Sequence, residues 1–208
     1  PFENRFNALM FCSGHDFLPD GRAMVSMMHG DVWLVNGIDD KLQQITWQRF
    51  EAGLFQPLGL RVVDVHTYVI GRYQITRLVD LNNDGEADFY ENFNNDAHTT
   101  LNGHEYVTCL ETDRAGNFYY VKGNCNSQTP HDGCVLRVSA DGSKLDVFAT
   151  GFRNSNGIGM GPHDEITVAP QEGEWTPASA VFSVRKGEFY GYMPSNHQNP
   201  PPTDFGVR

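Results

Sequence analysis

One order of elements recurs along this chain: a turn, a strand, a connection, a second strand, a Gly-bearing turn and a third strand. The stretch "FLPDGRAMVSMMHGDVWLVNG" turns at Asp20-Gly21, runs as a strand from Ala23 to Met27, turns at Gly30-Asp31 and resumes with "VWLV". "TDRAGNFYYVKGN" followed by "GCVLRVSADGSKLDVFATG" repeats the order, as does "GPHDEITVAPQEG" followed by "ASAVFSVRKGEFYG". A further copy, "GLFQPLGLRVVDVHTYVIGRYQITRLVD", lies between the first two. Landmarks at Gly53, His104 and Gly151 fall about fifty residues apart, in the range of propeller blades. Short β-branched and aromatic runs, frequent turns and no long helical period predict an all-β fold. A sandwich is the alternative, but the repetition favours a β-propeller of four-stranded blades, about four of them visible. Residues 1–208 read as a single propeller domain, truncated at its C-terminal end, where "NHQNPPPTDFGVR" is extended and proline-rich.

The third strand of the second copy leads into "DLNNDGEADFYE", Asp80 to Glu91. Oxygen-bearing side chains fall at loop positions one, three, five, nine and twelve: Asp80, Asn82, Asp84, Asp88 and Glu91. Gly85 takes the sharp turn at position six, and Glu86 would offer its backbone carbonyl at position seven. Calcium is a hard cation that binds many oxygens, and this spacing matches the twelve-residue calcium-loop pattern. The flanks do not match an EF-hand. "TYVIGRYQITRLV" reads as two strand pieces around Gly71, and "NFNNDAHTTLNG" has no 3.6-residue apolar period. The expectation is therefore a structural calcium clip on a blade connection; a solvated turn without metal is the alternative.

A formal net charge of -11 argues against nucleic acid as a partner, since phosphates demand a basic surface. No apolar run approaches a membrane span, and "PFENRFNALMF" lacks the charged and apolar regions of a signal peptide. A start at Pro1 without Met suggests processing or truncation. None of the four cysteines forms a CxxC pair, which argues against zinc. Cys125 and Cys134 bracket a short loop and would close as a disulfide in an oxidising compartment, or stand as free thiols.

The segments "GLFQPLGL", "YVIGRYQITRLVDLNNDGEADFY", "HEYVTCLETDRAGNFYYVKGN", "GCVLRVSADGSKLDVFATGFRNSNGIGM" and "QEGEWTPASAVFSVRKGEFYG" resemble, in order, the glucose/sorbosone dehydrogenase family. These are propellers that bind pyrroloquinoline quinone (PQQ), and the resemblance is to the branch described as membrane-bound dehydrogenases. It implies a six-bladed propeller, oxidation of a sugar or related alcohol, and electron transfer to an external acceptor such as cytochrome c. It also implies a periplasmic or extracellular setting. His104 stands where the family has its general base, a role suited to a group that takes a proton near neutral pH. Arg153 and Asn154 match the family's Arg-Asn pair, where a guanidinium holds the cofactor and stabilises charge as the quinone is reduced. Glu172 and Gly173, in "PQEGEW", lie where the family binds the calcium that anchors its quinone. The family's Gly-Pro is replaced there by Glu172-Gly173-Glu174.

Outside the resemblance, His104 reads as a hydrogen-bonded blade-edge histidine and Arg153 as an arginine paired with an acidic neighbour. His15-Asp16 and His131-Asp132 read as turns. Met10, Met24, Met27 and Met28 read as core filler. A non-catalytic, calcium-stabilised propeller that binds glycan or a protein partner is the alternative function. A calcium-dependent propeller lactonase is a third possibility.

Overall fold

The computed structural model describes residues 6–124, 128–173 and 178–197. All fifteen extended elements are short strands, and one turn of 3-10 helix, Met193–Ser195, is the only helical element among the described residues. They form consecutive antiparallel meanders, the blade unit expected from the sequence. The first joins β1 (Cys12–Phe17), β2 (Ala23–Met27), β3 (Val32–Asn36) and β4 (Thr46–Glu51). The second joins β5 (Gly59–Val63), β6 (His66–Ile70), β7 (Ile75–Val79) and β8 (Phe89–Asn94). The third joins β9 (Val107–Thr112), β10 (Phe118–Lys122), β11 (Cys134–Val138) and β12 (Leu145–Ala149). The fourth has three described strands, β13 (Ile158–Met160), β14 (Ile166–Val168) and β15 (Phe182–Val184). The chain is an all-β protein built of propeller blades.

The contacts divide the chain into two compact units, Pro1–Phe93 and Asn94–Arg208, each carrying two of these sheets. Within the first unit β1 lies beside β5, and within the second β9 lies beside β13, so blades stack through their first strands. The middle strands are buried on both faces, which is why they read as nearly continuous apolar runs rather than alternating ones. In β10, "FYYVK", every residue is buried; in the outer strand β4 the first two residues are exposed. Met24, Val32, Leu34, Leu60, Val69 and Leu78 form the core of the first unit. Tyr119, Val121, Val135, Phe152, Ile158 and Val168 lie at the heart of the second. Phe152 is fully buried and stacks on Tyr190 with ring centroids 4.9 Å apart, closing the turn after β12 over the fourth sheet.

Gly133 shows how tightly that turn is drawn in. It has φ +63, and a Cβ there would fall 2.3 Å from Ser195 and 2.4 Å from the Phe152 carbonyl oxygen. Any side chain would have to push the turn apart, so this position needs glycine on both steric and conformational grounds.

Candidate functional site

The turn preceding β9 presents His104, whose side chain is exposed. Asn102 sets this turn: its Oδ1 accepts the His104 backbone N–H at 2.9 Å, the local amide-to-backbone bond that asparagine makes readily in turns. Among the described residues no hydrogen bond meets the imidazole itself. The ring is therefore located by its backbone alone.

Next to it, Glu105 turns inward and is fully buried. Its Oε2 accepts the backbone N–H of Thr100 at 2.8 Å and the Thr100 hydroxyl as well. Its Oε1 meets the ammonium of Lys122, which also donates to Asp132 Oδ1 at 2.6 Å. All three side chains have no exposed surface. The cation follows from the strand pattern: Lys122 ends a strand covered on both faces, so its charge has to be met inside. Asp132 Oδ2 accepts Asn124 Nδ2 at 3.1 Å and the backbone N–H groups of Gln128 and Thr129 at 2.8 Å each. Burial alone would raise this carboxyl. The bonds from Lys122 and the backbone outweigh it and leave Asp132 below its ordinary range, ionised. The turn expected at His131-Asp132 is present, and within it Asp132 terminates a buried ion triad.

His131 sits on the rim of this triad. Its Nδ1 accepts the backbone N–H of His98 at 2.9 Å, and the two rings lie 5.0 Å apart, edge to face. Burial, with the neighbouring His98, holds the His131 imidazole below its usual range, so the acceptor nitrogen stays unprotonated. Cys134 is buried directly after; Cys125, its candidate partner, lies outside the described residues.

The loop between β12 and β13 carries the remaining predicted residues. Arg153 donates from Nη1 to the Glu172 carbonyl at 2.8 Å and sits 3.8 Å from the Glu172 carboxylate. The backbone returns the contact, Gln171 N–H to Arg153 carbonyl at 3.0 Å. Gln171 and Glu172 therefore serve here as the rail against which Arg153 is laid, and the Glu172 carbonyl is already occupied by the guanidinium; Gly173 follows directly in the chain. Glu174 and Trp175 lie outside the described residues. Asn154 adopts φ +37, a left-handed conformation that asparagine tolerates better than most residues. A Cβ on Gly123 would fall 3.3 Å from the Asn154 Cα and 3.4 Å from its Oδ1, so the strand end after β10 abuts this loop. Thr108 on β9 donates its hydroxyl to the Ser155 carbonyl at 2.9 Å.

Three polar atoms in a row are left over. Arg153 Nε, Asn154 Oδ1 and Ser155 Oγ are buried, and none has a hydrogen-bond partner among the described residues. Buried polar atoms are ordinarily paired, so a donor, an acceptor and a hydroxyl without partners on consecutive residues call for a further polar group there, a water, an ion or a ligand. All five residues predicted for the catalytic and cofactor site belong to this second unit. His104 reaches the others through Asn102, Asn124 and Gly123. The sequence reading missed Glu105, Lys122, Asn124 and Asp132; only "YVK" at the end of a fully apolar strand hinted at a buried cation.

The predicted calcium loop lies in the first unit, as the hairpin connection from β7 to β8. Its carboxylates organise its own backbone. Asp80 accepts the N–H groups of Asn83 and Gly85, Asn82 that of Asp84, Asp84 that of Glu86, and Asp88 that of Leu81, all between 2.7 and 2.9 Å. Gly85 takes φ +85, and Gln48 on β4 donates to the Asp84 and Gly85 carbonyls at 3.1 Å. Glu91 lies within β8, where it pairs with Arg77 at 2.6 Å. Among the described residues no three His, Cys, Asp or Glu side chains converge as a metal-binding group.

No protein-family model matches the chain, and no curated protein sequence matches it. Solved structures do. The chain is similar to an oxidoreductase (glucose dehydrogenase) from Thermus thermophilus, with TM-score 0.70 and 16% identity, over 88% of this chain and 65% of that one. It is similar to the PQQ-bound aldose sugar dehydrogenase of Streptomyces coelicolor, with TM-score 0.67 and 13% identity, over 89% and 63% of the two chains. The PQQ domain of pyranose dehydrogenase from Coprinopsis cinerea gives TM-score 0.71 and 12% identity, over 88% and 54%. The chain shares their fold. It spans less than two thirds of the length of each of them.

Proposed function

We propose that this chain is part of a quinoprotein-type dehydrogenase that oxidises a sugar or related alcohol. The observation that carries the reading is the run of unpartnered buried polar atoms on Arg153, Asn154 and Ser155, linked through Gly123 and Asn124 to the turn bearing His104. The shared fold with sugar dehydrogenases supports it.

The donor set fits PQQ, a flat group bearing carboxylates, carbonyls and ring nitrogens. Arg153 Nε would donate to a carboxylate or carbonyl oxygen, Asn154 Oδ1 would accept an N–H, and Ser155 Oγ can do either. When bound, PQQ supplies the acceptor for the hydride that leaves the substrate carbon. His104 takes the hydroxyl proton at an imidazole nitrogen, which its exposed position leaves open to substrate. Gln171 and Glu172 keep Arg153 aimed, so that its fixed charge needs no rearrangement as negative charge develops. Electrons then pass to an external acceptor, cytochrome c being the class the resemblance implies. A periplasmic or extracellular location accords with that. Among the described residues no helix is long and apolar enough to cross a membrane.

A titration of the protein with PQQ in calcium, read by absorbance and by dye reduction with a panel of aldoses, tests this. His104→Ala is expected to lower turnover at least about a hundredfold with PQQ binding retained. Arg153→Ala is expected to weaken PQQ binding itself. Absence of both binding and dye reduction at micromolar PQQ sinks the reading. Saturable glycan binding that survives His104→Ala would instead leave a non-catalytic propeller.

The Asp80 loop we read as a structural calcium clip. Residues 80 to 88 present oxygens whose second lone pairs are not used by the backbone bonds, whereas Glu91 is engaged by Arg77 and is not counted as a ligand. At calcium one hundred times its Kd the bound state gains about 2.7 kcal/mol, a rise of several degrees in Tm that Asp80→Ala should abolish. Glu91→Gln should leave the calcium-dependent rise in place. A Tm indifferent to calcium and chelator means that the loop is a metal-free turn.

A further inference from the structure

The buried ion triad and the His104 turn belong to one closed hydrogen-bonded ring. From Asp132 the ring runs to Asn124, which is 1% exposed, through Nδ2 to Oδ2 at 3.1 Å. Asn124 Oδ1 accepts Asn102 Nδ2 at 3.1 Å, and Asn102 Oδ1 accepts the His104 N–H at 2.9 Å. The peptide from His104 to Glu105 and the bonds from Glu105 through Lys122 to Asp132 close the circuit.

The ring has a direction. An ionised carboxylate only accepts hydrogen bonds, so Asn124 has to turn its amide nitrogen toward Asp132. Its carbonyl then faces Asn102, which has to answer with its own amide nitrogen. That leaves the Asn102 carbonyl aimed at the His104 N–H. The orientation of the two side-chain amides, and with it the acceptor offered to the His104 N–H, matches the polarity of one buried negative charge held by Lys122. Because nothing described holds the imidazole, this backbone placement is what locates the ring.

We propose that Asn124 is a positioning residue for His104, relaying the polarity of the buried Asp132 carboxylate through Asn102 to the turn that presents the candidate base. The proposal rests on the dehydrogenase reading only for its effect on turnover; the relay itself is readable without cofactor or sugar.

Amide hydrogen exchange of the protein without PQQ decides it. Asn124→Ala should speed exchange at the His104 amide about tenfold, the worth of one hydrogen bond, and leave strands β9 to β11 protected. Asn124→Asp makes a sharper test. A carboxylate at 124 still demands the Asn102 amide nitrogen, so His104 should keep its protection to within about threefold. Yet two carboxylates now face each other, so Tm should fall below that of Asn124→Ala. A merely structural role would make protection follow stability. Equal exchange at His104 in the two variants, or wild-type exchange in Asn124→Ala, overturns the relay. If neither variant folds, Asn102→Asp reads the same link from its half-buried side. It keeps the acceptor for His104 but loses the donor to Asn124, so the relay requires faster exchange and a purely local turn requires none. With PQQ and sugar, Asn124→Ala should lower kcat about tenfold while KM changes less than about twofold. Wild-type protein that turns over no sugar refutes the dehydrogenase reading and leaves the exchange result standing.

Discussion

Lys122→Met is expected to destabilise the protein by about 3–5 kcal/mol at pH 7.5, the cost of removing one partner from a buried ion network. Methionine fills the volume of the lysine stem but supplies no charge, and Glu105 and Asp132 would be left as two buried carboxylates with no cation between them. The loss should depend on pH, with a sign that follows from the carboxyls. In the native protein Asp132 is held below its unfolded value. Its contribution is therefore present above the unfolded pKa and is lost as pH falls through the lower folded value. In the variant the Lys122 bond that helps hold Asp132 low is gone while its burial remains, so protonation relieves the repulsion and the deficit against wild type should shrink from pH 7.5 to pH 5. Thermal or denaturant unfolding at the two pH values checks both statements. A variant as stable as wild type at pH 7.5, or a deficit that grows in acid, would show that the triad does not hold the loops around His104. Replacement of all three residues by apolar side chains is a different experiment, since it removes the desolvation penalty together with the attraction.

Glu51→Gln is expected to stabilise the protein at alkaline pH, by up to about 5 kcal/mol at pH 9, and to leave it little changed at pH 5. Glu51 ends β4 with 4% of its surface exposed, and no donor meets either carboxylate oxygen in hydrogen-bonding geometry among the described residues. Burial pushes its carboxyl up to about 8, with the Tyr90 hydroxyl opposing the shift and the Asp31 charge adding to it. The folded protein keeps a proton that the unfolded chain releases near 4.5. Stability contributed by the neutral acid is thus full below that value and declines as pH rises through about 8. The magnitude is the span between the two pKa values at about 1.36 kcal/mol per unit, an upper figure because any relaxation or water entry reduces it. Glutamine is neutral throughout. Stability curves of wild type and Glu51→Gln from pH 5 to pH 9 should diverge steadily above pH 5; parallel curves would mean that Glu51 titrates as an exposed acid.

Both predictions rest on charges whose burial is invisible in the residues around them. By contrast, the strands were legible from the chain itself. The expected strand Ala23 to Met27 is β2, the two pieces around Gly71 are β6 and β7, and the Asp80 loop does connect two strands rather than two helices. Local propensity, turn residues and the fifty-residue period depend only on near neighbours in sequence, and propeller blades are built from near neighbours. His104, Arg153 and Asn154 were nameable as candidates only through the family resemblance; read alone, they were a blade-edge histidine and an arginine beside an acidic neighbour. What they touch was not nameable. Lys122 looks like the polar end of a strand, Asp132 like a turn residue and Glu91 like the last ligand of a metal loop.

The amino-acid sequence by itself determined the class of fold, the blade repeat and the residue types available for chemistry. Only the tertiary structure decided which charges lie inside and which atoms answer them. It brought Glu105 and Asp132 to Lys122 across 17 and 10 residues, and Arg77 to Glu91 across the hairpin. The reason is physical: secondary structure satisfies backbone groups locally, whereas a buried charge is satisfied by whatever segment the packing of sheets and loops delivers to it.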